Sequence, residues 1–157
     1  MLALLLIPVS LFPQKSRFIK SDYDKFTQTT TYHTPLLNGE NLNFNSPIIF
    51  YKEIKGSDTT LFVQLTSYDR EVYSGRGVII LFSDGKRLEY PDQELKSKVD
   101  GNANVEYLCT MPLDESLKAQ LSSAFITDFR LCVVDEHLSK KSQKWYQKYF
   151  KDLLDAR

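Results

Sequence analysis

A chain of 157 residues with 20 basic and 20 acidic side chains has no formal net charge. That argues against a dedicated nucleic-acid binder, which normally carries a basic excess. Hydrophobic residues make up 42% and aromatics 13%, with only 6 glycines and 6 prolines, so the chain can bury a real core and is not a disordered one.

Residues 1–13, MLALLLIPVSLFP, carry no charged side chain, and the first basic residue is Lys15. This resembles the apolar part of a secretory signal peptide, here assigned to residues 1–14, and predicts export to the periplasm or the exterior. The run is shorter than the roughly 20 apolar residues that span a bilayer, and Pro8 and Ser10 interrupt it, so no transmembrane span is expected. It lacks the usual basic opening, which a start further upstream would supply, and Ser10 is the small residue nearest a plausible cut. The competing interpretation is a buried element from Leu2 to Leu11 in a cytoplasmic structural domain. Residues 15–21 read as a lead-in and 22–157 as one α+β domain of ordinary size.

Within that domain, Lys25 to His33 is rich in threonine and aromatics and suits a strand. Asn38-Gly39 marks a turn, Ile48 to Ile54 a second strand, and Gly56-Ser57-Asp58 another turn. Thr59 to Thr66 places Leu61, Val63 and Leu65 on one face. Val78 to Phe82 is apolar at every position, which predicts a strand covered on both sides. Asp84-Gly85 then signals a hairpin, with Arg87 to Tyr90 returning.

Asn104 to Thr110 puts Val105, Tyr107 and Cys109 on one face. Pro112 opens a short helix in which Leu113, Leu117 and Leu121 recur every fourth residue. Ile126 to Val134 is the last expected strand. From Ser139 to Ala156 runs a helix striped with Trp145, Tyr146, Tyr149, Phe150, Leu153 and Leu154. Its charges oppose the helix dipole, with Lys140 and Lys141 at the start and Asp152 and Asp155 at the end. This order predicts an α+β fold: an antiparallel meandering sheet with both helices packed on one face.

Few residues stand out as chemistry. Cys109 and Cys132 fall in expected strands and could pair as a disulfide in an oxidising compartment, or stay buried as small apolar groups. With the separated His33 and His137 they match no familiar zinc spacing, and no cofactor motif is present. Asp22 and Asp24 flank Tyr23 but lack the further oxygen ligands of a calcium site. Gly75-Arg76-Gly77 precedes a strand rather than a helix, so it reads as a strand entry and not a phosphate loop.

Asp135-Glu136-His137 sets carboxylates beside an imidazole without a declared nucleophile, since Ser139 and Ser142 suit a helix start. Tyr68, Tyr73 and Tyr90 near strand ends could stack on sugar rings or simply pack. Lys140, Lys141, Lys144, Lys148 and Lys151 form a basic side of the last helix, a candidate surface for an anionic partner such as lipid phosphates.

The apolar leader ending at Gln14, the DKFT opening, the VIILFSDGKRL hairpin and the aromatic terminal helix together resemble small exported proteins of Bacteroidota-type bacteria. The resemblance covers most of the chain and implies export and a single domain, but no activity or site. The reading is therefore a non-enzymatic exported domain that binds another macromolecule, protein or glycan, or serves in the cell envelope. The alternative is a small secreted hydrolase or a glycan-binding module.

Overall fold

The computed structural model describes residues 19–35, 46–99 and 103–156. The leader and the Asn38-Gly39 turn lie outside them. Among the described residues ten strands and two helices follow in order: β1 (Lys20–Asp24), β2 (Thr29–His33), β3 (Ile48–Lys55), β4 (Asp58–Asp69), β5 (Val78–Phe82), β6 (Arg87–Tyr90), β7 (Lys96–Val99), β8 (Val105–Pro112), α1 (Glu115–Ser123), β9 (Ile126–Leu131), β10 (Val134–His137) and α2 (Lys140–Asp155).

The mostly antiparallel α+β character is as expected, but the single sheet is not. The strands form two sheets, ordered β1-β2-β3-β4-β8-β7 and β10-β9-β5-β6. The physical reason lies in burial on both sides of the crossing from β4 to β5. Val63 and Leu65 of β4 and Val105, Tyr107, Cys109 and Met111 of β8 turn one face inward. Val78, Ile80 and Phe82 of β5 meet it from the second sheet, together with Phe129 and Leu131 of β9. Two half-buried sheets thus share one core, as in a sandwich.

Several boundaries move as well. β1 begins at Lys20, inside the stretch read as a lead-in, and residues 25–28 form its turn into β2, with Gln28 at φ 54°. Pro112 ends β8, and Asp114 caps α1 by accepting from Leu117 N at 2.7 Å. The expected strand from Ile126 to Val134 is really two strands of a hairpin, with Leu131 paired to Val134 and Cys132 at φ 56° in the turn.

α2 closes the sandwich against β3 of one sheet and β9 of the other. Its buried stripe is Tyr146, Tyr149, Phe150 and Leu153; Trp145 is only half-buried and Leu154 is exposed. Phe150 stacks obliquely on Phe50, with ring centroids 5.2 Å apart. Burying a side chain of that size contributes about 1.5–3 kcal/mol. The Ser46 hydroxyl donates to Ile48 O at 2.9 Å, so the Tyr146 hydroxyl donates to Ser46 Oγ, also at 2.9 Å, and ties the helix to the start of β3.

Candidate functional site

Ser139 starts α2 as its N-cap, accepting from Ser142 N at 3.2 Å, and its hydroxyl also meets that of Ser142 at 2.9 Å. The five lysines then project from the exposed side, because the opposite side carries the aromatic stripe that fills the sandwich. Lys148 is ion-paired with Asp152 at 2.8 Å. Like charges recur at i,i+4 in Lys140/Lys144 and Lys144/Lys148, a spacing that puts side chains side by side. Lys140 and Lys141 also occupy the positive end of the helix dipole.

A second feature lies on the outer face of the smaller sheet. β5 is not covered on both sides: Val78, Ile80 and Phe82 are buried, but Ile79 is half-buried and Leu81 is 38% exposed. They floor an open depression of about 290 Å³. Register places Leu81 in one cross-strand row with Arg87, Asp128 and His137. Ile79 shares the next row with Glu89, Arg130 and Asp135.

The charges on this face bind one another. Arg130 donates twice to Asp135, at 2.6 and 2.8 Å, and His137 Nδ1 donates to Asp128 Oδ1 at 2.6 Å. Arg87 pairs with Glu89 at 2.8 Å. The hydrogen bond from His137 holds the Asp128 carboxyl below its ordinary value, and the guanidinium of Arg130 does the same for Asp135. Glu136 alternates to the other face of β10, in register with Phe129, and burial pushes its carboxyl up. The Asp135-Glu136-His137 run is therefore split: the imidazole takes Asp128 as partner, Asp135 takes Arg130, and Glu136 turns away.

Sequence reasoning missed this face, although its signal was present. The alternations Asp128-x-Arg130 and Asp135-x-His137 put four polar groups on one side of a hairpin, beside a strand with two outward apolar residues.

The other candidates serve local structure. Asp24 accepts from Phe26 N at 2.8 Å and from Thr27 Oγ1 at 2.9 Å, pinning the β1–β2 turn, while Asp22 lies 3.4 Å from His33 Nε2. Among the described residues no group of three or more His, Cys, Asp or Glu gathers as a metal site. Gly77 donates to Gln93 O and accepts from Cys132 N, so the Gly75–Gly77 segment seats two loops.

Tyr68, Tyr73 and Tyr90 are partly buried, and the first two bond internally. Tyr68 donates to Glu106 at 2.9 Å, Tyr73 stacks on Tyr107 and donates to Glu71 at 3.0 Å, and burial pushes the Tyr90 hydroxyl up to about 12. Both thiols are free. Cys109 is buried opposite Leu65, where burial raises its pKa to about 12, whereas Cys132 sits in the β9–β10 turn against Gly75.

Among the described residues no helix is long and apolar enough to cross a membrane. Comparison with family models, curated proteins and solved structures finds no match for this chain.

Proposed function

We propose that the chain is an exported, non-enzymatic domain that docks on phosphate-bearing lipid headgroups of the cell envelope through the lysine face of α2. The observation that carries this reading is that the face works against its own helix. Lys140 and Lys141 sit at the end of α2 where a positive charge is unfavourable, and neighbouring lysines repel along the same side. Folding gains nothing from that arrangement, whereas an anionic surface relieves it. Each lysine near such a surface contributes about 1 kcal/mol, and the attraction falls within a Debye length of about 8 Å at physiological salt. The apolar leader supports an envelope location, and the occupied Ser139 hydroxyl favours binding over nucleophilic chemistry beside His137.

Vesicle co-sedimentation tests it. The protein is expected to bind phosphatidylglycerol vesicles and not phosphatidylcholine vesicles, with binding lost as salt rises. Reversal of Lys140, Lys141 and Lys144 to Glu is expected to abolish binding while raising the melting temperature, because the first turn then suits the dipole. Equal binding to both vesicle types, or undiminished binding by the reversed variant, rules the reading out.

A further inference from the structure

The outer face of the smaller sheet has a property that distinguishes it from an ordinary solvated surface. Its polar groups already have partners. The Arg130–Asp135 fork and the Asp128–His137 pair, with contacts of 2.6–2.8 Å, fix four side chains around the open Ile79 and Leu81. An ionic ligand gains little here, because the charge it would meet already has a partner of opposite sign beside it. A second copy of the chain does not fit either. Four strands about 4.8 Å apart, two rows deep, offer a few hundred Å² against the roughly 800 Å² that each partner of a stable complex buries.

What fits is small, uncharged, and apolar on one side with hydroxyls at its rim. Arg130 retains N–H donors beyond the two it gives Asp135, the carboxylates retain acceptor sites, and His137 retains Nε2. Groups that only donate and groups that only accept therefore alternate around the depression. A sugar hydroxyl does both, and can bridge such neighbours. A C–H face of a pyranose can lie on Ile79 and Leu81, and about 290 Å³ is at the small end of ligand sites, suited to one or two rings.

We propose that this face is a binding site for a neutral saccharide, with Ile79 and Leu81 as its floor and Asp128, Arg130, Asp135 and His137 as its hydroxyl-binding rim. The site is independent of the lysine face and carries no requirement for an anion. Because each rim side chain already has a partner, less of its freedom remains to be lost on binding.

The test is a titration of ¹⁵N-labelled protein with cellobiose, maltose and N,N′-diacetylchitobiose, followed by amide chemical shifts. At least one sugar is expected to give saturable shifts in the millimolar range, confined to β5, β9 and β10. Leu81→Asp, at an outward position, is expected to weaken that binding tenfold or more, with spectral dispersion reporting that it folds. Ile79→Thr serves the same purpose if it does not. Reversal of the α2 lysines is expected to leave sugar binding unchanged, so failure of lipid docking and failure of this site are separable. The proposal is overturned if none of the three sugars gives saturable shifts, or if the shifts map elsewhere. It is equally overturned if the floor variants bind as well as the parent, or if the face shows concentration-dependent shifts without sugar.

Discussion

Gly75 shows how a single missing carbon sets a backbone path. A Cβ built there would come within 2.1 Å of Cys132 Sγ and 3.4 Å of Cys132 Cβ, so the segment before β5 can lie against the β9–β10 turn only because no side chain intervenes. Cys132 itself holds φ 56°, a conformation that costs a non-glycine residue roughly 1 kcal/mol or more. Gly75→Ala is expected to destabilise by about 1–3 kcal/mol through overpacking. Cys132→Gly removes the obstructing thiol and the backbone strain together, so the double variant is expected to recover most of that loss. Urea unfolding of the four proteins measures the coupling; strictly additive effects would mean that thiol and methyl do not meet. The same residue explains why the β9–β10 hairpin was illegible in the sequence. Tight turns announce themselves through Asn-Gly or Asp-Gly, as Asp84-Gly85 does, whereas Leu-Cys-Val-Val reads as uninterrupted strand.

Helix α2 raises the same question at the scale of an element: what holds a helix whose charges oppose its dipole. Part of the answer is the aromatic stripe, which the periodicity of Tyr146, Tyr149, Phe150 and Leu153 made legible in advance. The other part was not legible, because it comes from a residue about a hundred positions away. Lys52, a buried lysine of β3, donates from Nζ to Leu154 O at 2.9 Å and to Ala156 O at 2.8 Å. It supplies the positive charge that the last turn lacks and satisfies carbonyls left free at a helix end. Lys52→Met keeps the aliphatic stem and removes the ammonium. It is expected to cost about 1 kcal/mol, since two part-buried carbonyls lose their charged partner, and to speed amide exchange first in the final turn of α2. Unchanged stability would show that water replaces the ammonium at no cost. The sheet-face site was hidden for a related reason. Alternation within β9 and β10 placed its polar groups on one side, but only the pairing of β5 with β9 brings Ile79 and Leu81 beside them.

At the scale of the molecule, groups on the smaller sheet and its β5–β6 turn tie stability to pH through their protonation, and the signs differ from group to group. Gln120 of α1 donates to Asp84 at 2.6 Å, holding the β5–β6 turn and lowering that carboxyl, first through this bond and then through the amide of Lys86. Asp128 and Asp135 are lowered by His137 and Arg130. A carboxyl lowered on folding adds stability that is complete above its ordinary 3.8 and is lost as pH falls through the lower folded value. Glu136 runs the other way. Burial raises it, so its ionisation opposes folding; the penalty is absent below its ordinary 4.5 and grows as pH rises toward the higher folded value. The native chain is therefore expected to lose stability on acidification through Asp84, Asp128 and Asp135, with Glu136 offsetting part of that loss. Glu136→Gln separates the two signs: it is expected to raise the melting temperature at pH 7, to change it little near pH 4, and so to make the acid limb of the profile steeper. A variant that is less stable than the parent at pH 7 would mean that the charged carboxylate of Glu136 has a stabilising partner, and the sign of its contribution would have to be reversed.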